Sequence, residues 1–236
     1  MKIVLLPGLD GTGVLFRPLV EHLPESLSPI VVSYPHDKEL GYTELLPIVL
    51  QNLPGEEPLV LLGESFSGPL ALMLAATRPA GLKAVVLCAT FVRNPTWVRH
   101  PWLARLVHPF AFRLYPQFSA AKALLGGYST PELRTLTREA IGSVRPEVIA
   151  HRVRSVLRVN VVDELAHCPV PILYLRGSRD LVVPSHNLRE IQSLLPDIRV
   201  ATMEAPHMVL QTQPEACACA IADFVSATES RATAGR

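Results

Sequence analysis

Residues 59–73 read Leu59-Val60-Leu61-Leu62-Gly63-Glu64-Ser65-Phe66-Ser67-Gly68-Pro69-Leu70-Ala71-Leu72-Met73. An apolar run typical of a buried strand leads into a short turn, and an apolar helical pattern follows directly. Small residues around Ser65 permit a sharp strand-to-helix turn, which raises a serine hydroxyl to the carboxyl edge of a sheet. We therefore predict that Ser65 is a nucleophile. Helix N-capping by Ser65 is the alternative, and Ser67 is a rival nucleophile.

Apolar strand patterns alternate with helical patterns along the rest of the chain. The strand candidates are Ile3 to Leu6, Ile30 to Ser33, Leu59 to Leu62, Ala84 to Ala89, Ile172 to Leu175 and Arg199 to Thr202. The helix candidates are Phe16 to His22, Tyr42 to Asn52, Ser65 to Thr77, Ser185 to Leu194 and Pro214 to Thr228. Near-continuous apolar strands are typical of a parallel sheet with helices on both faces. The predicted fold class is α/β, with a mainly parallel sheet of about six strands.

The alternation breaks once, between Phe91 and His167. We predict a core of residues 1–91 and 168–228, an insert of residues 92–167 and a flexible tail of residues 229–236. Within the insert, Pro131 to Ile141 and Pro146 to Arg158 have amphipathic helical patterns. The aromatic residues of the insert are expected to form an apolar lining over Ser65; they are Trp97, Trp102, Phe110, Phe112, Tyr115 and Phe118. Packing within the insert, without substrate contact, is the alternative for Trp97, Trp102 and Phe110.

The composition excludes several classes of protein. Apolar residues make up 49% of the 236 residues and charged residues 18%, which excludes charge-driven disorder. The 22 Lys and Arg against 21 Asp and Glu give a net charge of +1, with no block of like charge. This balance argues against nucleic acid or an anionic membrane surface as a partner. No apolar run approaches the roughly 20 residues of a membrane-spanning helix.

Two later residues can complete the chemistry of a serine nucleophile. The hydroxyl needs a base to take its proton and an acid to orient that base. Asp180 lies in the loop after the strand that ends at Leu175, and His207 lies in the loop after the last strand. We predict Asp180 as the acid and His207 as the base. His186 is a rival base, and Asp163 is a rival acid.

A glycine-rich loop, Pro7-Gly8-Leu9-Asp10-Gly11-Thr12-Gly13, follows the first strand. Backbone N–H groups aimed at a developing oxyanion are a large catalytic contribution, so such a loop near the serine suits acyl transfer. A phosphate cradle is the alternative. The spacing differs from G-x-G-x-x-G, however, and no Gly-Lys-Ser/Thr follows, which argues against nucleotide binding.

These motifs together resemble the α/β-hydrolase superfamily, nearest the small bacterial esterase-like members. The chain order serine, acid, histidine is the order of that family. The resemblance implies that residues 92–167 form a helical cap over the active site. It also implies that the backbone N–H groups of Leu9 and Phe66 form the oxyanion hole. Pro7 replaces the family's histidine before the loop glycine, and Ser67 replaces a glycine.

The cysteine and histidine patterns indicate no metal site. The spacing of Cys88, Cys168, Cys217 and Cys219 matches neither a zinc ribbon nor a disulfide framework. We expect Cys88, Cys217 and Cys219 to be small buried side chains. A reducing, cytoplasmic location follows as the simplest expectation. No histidine pair has metal-binding spacing, so we predict neither a metal nor a cofactor.

The predicted function is that of a serine carboxylesterase acting on small to medium apolar carboxylic esters through an acyl-enzyme on Ser65. A thioesterase or a C–C bond hydrolase would use the same residues. A non-catalytic ligand-binding protein with this fold is the alternative from another class. The expected partner is a small-molecule ester, with no nucleic acid or membrane, and the expected state is a monomer or homodimer.

Overall fold

The sheet of this protein has six parallel strands. The structure, a computed structural model, describes residues 1–98, 100, 102–114 and 122–234. The sheet order is β2-β1-β3-β4-β5-β6, and every neighbouring pair is parallel. The predicted fold class is therefore confirmed. The strands are β1 (Lys2–Leu6), β2 (Ser28–Val31), β3 (Leu59–Glu64), β4 (Leu82–Cys88), β5 (Ile172–Gly177) and β6 (Arg199–Met203).

Helices connect and cover the strands. Those of the core are α1 (Arg17–Val20), α2 (Tyr42–Leu50), α3 (Ser67–Ala76), α10 (His186–Leu194), α11 (Val209–Thr212) and α12 (Pro214–Ala234). Those of the insert are α4 (Leu103–Leu106), α5 (Pro109–Leu114), α6 (122–125), α7 (Pro131–Gly142), α8 (Pro146–Val156) and α9 (Val162–Ala166). No helix in the described part of the chain is both long enough and apolar enough to cross a membrane.

Helices pack on both faces of the sheet, which explains the continuous apolar strands. Val4 and Leu6 of β1 contact one apolar layer, which includes side chains of α2, α3 and α10. Ile3 and Leu5 point to the opposite layer, which includes side chains of α1 and α12. The alternation follows because successive strand residues face opposite sides. The edge strands β2 and β6 are largely exposed or half-buried, so the prediction of full coverage fails at the two edges.

The ends of several elements differ from the sequence prediction. Helix α3 begins at Ser67 rather than at Ser65, because Ser65 adopts a non-helical backbone conformation. Helix α12 continues to Ala234, beyond the predicted end at Thr228, so much of the expected flexible tail is helical. The short helices α4, α5 and α9 were not predicted, because a single turn leaves almost no periodic signal.

The two ends of the insert meet at its base. An antiparallel bridge joins Arg93 to Asn160. The amide of Val161 donates to the carbonyl of Val92 at 2.8 Å, and the side-chain amide of Asn94 donates to the carbonyl of Leu157 at 3.2 Å. The insert therefore leaves and re-enters the core at one place. Of the predicted aromatic lining, Tyr115 and Phe118 lie outside the described residues.

Candidate active site

Ser65 lies between β3 and α3 with a φ of 48°. This is the left-handed region, which residues with a side chain rarely adopt. The amide of Ser65 donates to the carbonyl of Cys88 at 2.8 Å, and its carbonyl accepts a hydrogen bond from Thr90 Oγ1 at 2.5 Å. The neighbouring strand thus holds both sides of the turn. A serine with this backbone between a strand and a helix has the geometry of a nucleophile elbow.

Two glycines make this sharp turn possible. A Cβ at Gly63 would lie 2.5 Å from the carbonyl oxygen of Ser67, and a Cβ at Gly68 would lie 2.1 Å from Thr90 Oγ1. Both distances are shorter than any ordinary contact, so glycine is required at each position. The strict requirement after the serine therefore falls on Gly68, not on the preceding residue.

Ser67 has a different role from Ser65. It is fully buried, and its hydroxyl donates to the carbonyl of Pro7. The hydroxyl of Tyr34 donates to Ser67 Oγ at 2.7 Å. A glycine at this position could make neither bond, so the departure from the family pattern links the elbow to the glycine-rich loop. N-capping by Ser65 is also excluded by the geometry, since the N-cap residue of α3 is Phe66.

The structure brings His207 and Asp180 to Ser65. Nε2 of His207 lies 2.9 Å from Ser65 Oγ, and Nδ1 lies 2.9 Å from Asp180 Oδ2. Oδ1 of Asp180 accepts hydrogen bonds from the amides of Val182 and Val183 at 2.8 and 2.9 Å. The His207 and Asp180 side chains are only 7% and 6% exposed. Such an imidazole is oriented at one nitrogen and can accept the serine proton at the other.

The loops that carry the acid and the histidine contact each other backbone to backbone. The amide of Arg179, after β5, donates to the carbonyl of Ala205, after β6, at 2.9 Å. A Cβ at Gly177 would lie 2.3 Å from the carbonyl oxygen of Pro206. This close approach sets the separation between Asp180 and the histidine that follows the proline. The carboxyl ends of parallel strands converge at one edge, which explains why distant loops meet there.

The rival residues occupy other places. His186 begins α10, and its ring packs against Trp97 with a centroid separation of 4.0 Å. Asp163 lies in α9, where its carbonyl oxygen is 2.8 Å from Nδ1 of His167. Among the hydrogen bonds of the described residues, neither rival reaches Ser65.

The glycine-rich loop places its backbone beside Ser65. Its turn is closed by the amide of Gly11, which donates to the carbonyl of Gly8 at 3.0 Å. Phe66 is held on the other side, since its carbonyl accepts a hydrogen bond from the Tyr42 hydroxyl at 2.9 Å. Within the described part of the chain, no group accepts a hydrogen bond from the amide of Leu9 or Phe66.

Sequence reasoning gave no role to Glu64. Its side chain is buried, and Oε1 accepts a hydrogen bond from Gln211 Nε2 at 2.9 Å. The pKa of Glu64 is raised to about 7, mainly by burial and in smaller part by the Asp10 carboxylate, while the Gln211 hydrogen bond and the nearby His207 oppose the shift. A charged residue between Gly63 and Ser65 was the only sequence signal for this carboxyl group beside the candidate nucleophile.

A cavity of about 800 Å³ opens at Ser65. Its walls are mainly apolar and come from four segments: the glycine-rich loop, the elbow at Ser65, the loop that carries His207, and the insert. The lining residues are Gly8, Leu9, Asp10, Leu15, Glu64, Ser65, Phe112, Arg113, Ala123, Leu124, Ile141, Gly142, Val144, Pro146, Ile149, Val182, His207 and Met208. Of the expected aromatic residues that the structure describes, Phe112 lines the cavity, whereas Trp97, Trp102 and Phe110 are exposed to solvent.

The cysteines of the described chain form no disulfide. Cys88 and Cys217 are buried as expected, but Cys219 is exposed, because it lies on the outer side of α12. Burial raises the pKa of Cys217 to about 12. Among the described residues, no group of three or more His, Cys, Asp or Glu side chains could hold a metal ion.

Comparison with known proteins adds sequence and structural relatives. A pimeloyl-[acyl-carrier protein] methyl ester esterase of Xanthomonas oryzae pv. oryzae is 28% identical over 216 residues, which cover 85% of each chain. The crystal structure of an esterase from Exiguobacterium antarcticum matches with a TM-score of 0.82 at 15% identity, covering 96% of this chain and 92% of that one. A bromoperoxidase from Bacillus anthracis matches with a TM-score of 0.82 at 17% identity, covering 95% and 91%.

These two structural matches share the fold, although their sequence identity is low. Residues 3–220 match the profile of the alpha/beta hydrolase family, and this range includes the elbow, the acid loop and the histidine loop. The chain therefore belongs to the alpha/beta hydrolase family.

Proposed function

We propose that this protein is a serine carboxylic ester hydrolase with Ser65 as nucleophile, His207 as general base and Asp180 as the residue that orients the histidine. The observation that carries the proposal is the chain of two hydrogen bonds, each 2.9 Å long, from Ser65 through His207 to Asp180. This chain ends at the large apolar cavity, where a substrate carbonyl can approach the serine.

The proposed reaction begins with attack by Ser65 Oγ on the carbonyl carbon of the ester. The hydroxyl proton passes to Nε2 of His207, and the carbonyl electron pair becomes an oxyanion. The N–H groups of Leu9 and Phe66 stabilise this oxyanion. The tetrahedral intermediate then collapses, and the leaving alcohol takes the proton from His207. Water, activated by the same imidazole, attacks the acyl-enzyme and releases the carboxylic acid.

Asp180 supports both steps without changing its own protonation state. One carboxylate oxygen accepts a hydrogen bond from Nδ1 of His207, so the imidazole keeps the tautomer with Nε2 free for Ser65. The other oxygen is fixed by the amides of its own loop. The carboxylate also stabilises the imidazolium that forms during attack.

The cavity walls favour small to medium apolar esters, and the insert acts as a cap that closes one side of the cavity. Apolar side chains from the insert, such as Phe112 and Ile149, face the same space as Ser65. Burial of an apolar acyl chain there stabilises the complex by about 0.8 kcal/mol for each methylene. The relatives named as methyl ester esterases of a pimeloyl group on acyl-carrier protein make a methyl ester at the end of an acyl chain a substrate to test first.

The test is hydrolysis of p-nitrophenyl esters across a series of acyl lengths by the wild-type protein and by Ser65→Ala. We expect turnover to fall by several orders of magnitude in Ser65→Ala, since the nucleophile is lost while the turn glycines remain. Ser193→Ala, which changes an exposed serine of α10, is the matched control and should keep wild-type turnover.

A fluorophosphonate probe and a wider substrate panel separate the alternatives. The probe should label the wild-type protein at Ser65 and leave Ser65→Ala unlabelled. Absence of labelling in the wild type would instead favour a non-catalytic ligand-binding protein. Parallel assays with a thioester and a C–C diketone of equal acyl length decide whether the ester is the preferred substrate.

A further inference from the structure

A single arginine of the insert reaches the glycine-rich loop of the core. Arg152 lies on α8, and its side chain is completely buried, at 0% exposure. Amphipathic helices place arginines toward solvent, and long charged side chains are almost never fully buried without partners. The burial of Arg152 therefore calls for a specific set of contacts.

Those contacts are backbone carbonyl groups on both sides of the loop. Nη1 of Arg152 donates to the carbonyl oxygens of Leu9 and Asp10 at 3.0 and 2.8 Å. Nη2 donates to the carbonyl oxygen of Pro35 at 2.9 Å. A Cβ at Gly11 would lie 2.5 Å from Nη1, so the loop backbone follows the guanidinium closely. Hydrogen bonds from a charged donor are stronger than those between neutral groups.

The same loop is held from the core side by a second set of side chains. The guanidinium of Arg152 lies over the ring of Tyr34, 5.6 Å from its centroid. The Tyr34 hydroxyl donates to Ser67, and Ser67 donates to the carbonyl of Pro7. The loop is therefore held on both sides of Gly8: Ser67 of the elbow binds the carbonyl of Pro7, and Arg152 of the insert binds the carbonyl of Leu9.

Stability alone does not account for this arginine. Its Nε is buried with no hydrogen-bond acceptor among the described residues. Burying an incompletely paired charge costs free energy, and apolar replacements of buried ionic groups are often neutral or stabilising. Of the three hydrogen bonds that Arg152 donates, two go to the glycine-rich loop that carries the Leu9 amide, and the third goes to the carbonyl of Pro35 in a neighbouring segment.

We propose that Arg152 is a positioning residue: by holding the carbonyls of Leu9 and Asp10, it fixes the loop so that the N–H of Leu9 faces the oxyanion formed at Ser65. The proposal deepens the hydrolase function and rests on it. It also makes the insert part of the catalytic apparatus, because a displacement of α8 would carry the oxyanion loop with it. The arginine itself need not touch the substrate.

The first test compares steady-state kinetics of Arg152→Met and Arg152→Lys with the wild type. We expect kcat of Arg152→Met to fall about 10- to 100-fold, less than the roughly 100- to 1000-fold loss that follows removal of an oxyanion donor. KM should change less than about 3-fold, because the N–H acts mainly in the transition state. Arg152→Lys, which keeps a charged donor, should recover part of the loss.

The matched control is Arg154→Met on the same helix. Arg154 Nη2 lies 3.5 Å from Glu39 Oε2, and none of its hydrogen bonds reaches the glycine-rich loop. Its removal changes the charge of α8 by the same amount and should leave kcat unchanged. Active-site titration with the fluorophosphonate corrects every rate for the folded fraction. If Arg152→Met does not fold, the ratio of kcat between Arg152→Lys and the wild type decides the outcome: a reduced kcat supports the proposal, and an unchanged kcat contradicts it.

The second test separates positioning from general structural damage. A trifluoromethyl ketone accepts Ser65 Oγ at its carbonyl carbon, the serine proton moves to His207, and the carbonyl oxygen becomes a hemiketal oxyanion. The matching methyl ketone binds without this step and reports ground-state affinity. In Arg152→Met, affinity for the trifluoromethyl ketone should fall by the same factor as kcat/KM, while affinity for the methyl ketone stays within about 2-fold.

Several outcomes would overturn the proposal. Unchanged kcat in Arg152→Met would show that the loop needs no anchor, and equal losses for both ketones would show a merely structural role. Failure of the hydrolase function itself has a different signature, since the wild-type protein would then react with neither the fluorophosphonate nor the trifluoromethyl ketone.

Discussion

The parallel-sheet core and the insert are held together by different kinds of contact. In the core, segments approach so closely at Gly63, Gly68 and Gly177 that a single added Cβ would collide with a neighbouring atom. In the insert, a Cβ at Gly127 would meet no atom of the described residues within 4 Å. The insert also exposes large apolar side chains, including Trp97, Leu106 and Phe110.

The two regions therefore contribute to the candidate site in different ways. The core places the serine, acid and histidine by backbone geometry, which leaves little freedom to vary them. The insert supplies cavity walls and one anchoring arginine through side chains, which can change with little effect on the sheet. Substitutions in matched positions of the two regions should therefore give unequal effects, and three pairs test this expectation. A fourth pair compares two positions within the insert.

The largest contrast concerns the two aspartates. Asp180→Asn should lower kcat by about 10⁴-fold, because an asparagine amide can leave the histidine in the wrong tautomer. Asp163→Asn, in α9 of the insert, should change kcat less than about 3-fold. Initial rates with one p-nitrophenyl ester measure both. A larger loss in Asp163→Asn would move the acid from the core to the insert.

The next contrast concerns two glycines and stability. Gly68→Ala places a methyl group 2.1 Å from Thr90 Oγ1, so we expect the free energy of unfolding to fall by about 3 kcal/mol or more. Gly127→Ala adds a methyl group to open space and should change it by less than about 0.5 kcal/mol. Urea denaturation measures both. Equal effects would contradict the unequal packing of the two regions.

A third contrast uses the pH dependence of stability and the carboxyls of Glu64 and Glu139. The pKa of Glu64 is raised by burial from 4.5 to about 7, so the folded state holds an extra proton between these pH values. Its contribution to stability is therefore present at low pH and is lost as the pH rises through that window. Glu64→Gln removes this loss.

The measurement is the difference in free energy of unfolding between each variant and the wild type from pH 4.5 to pH 7.5. For Glu64→Gln this difference should shift in favour of the variant by about 2 to 3 kcal/mol across the window. Glu139→Gln, at an exposed position of α7, is the control and should give a constant difference. A constant difference for Glu64→Gln as well would show that folding does not raise the pKa of Glu64.

The smallest contrast lies within the insert. Phe112 lines the cavity and packs against Val144 and Ile149, whereas Phe110 is 57% exposed. Phe112→Ala should enlarge the cavity and move the preferred acyl length upward by one or two carbons, with a several-fold change in kcat/KM for the longer esters. Phe110→Ala should leave the profile across the ester series unchanged. A shift in both variants would mean that the exposed ring also reaches the substrate.

The fold class and the chain order of the candidate site residues could be predicted from the sequence. Strand periodicity, the small residues around Ser65 and the loops after β5 and β6 are local patterns, so each can be recognised without knowing its neighbours. Asp180 and His207 could be placed because the ends of parallel strands converge at one edge of a sheet. The oxyanion-hole role of Leu9 and Phe66, by contrast, was assigned from the family resemblance and not from the order of the strands.

The burial and the hydrogen-bond partners of those residues became known only from the folded structure. Arg152 lies at helical spacing from the buried Val148 and Ile149, but only the packing of α8 against the glycine-rich loop supplies its guanidinium with acceptors. The pKa of Glu64 depends on burial and on residues far along the chain, namely Gln211 and Asp10. The bonds of Ser67 to Pro7 and Tyr34 likewise join distant segments. Burial and long-range contacts are properties of the folded chain, so no local pattern carries them.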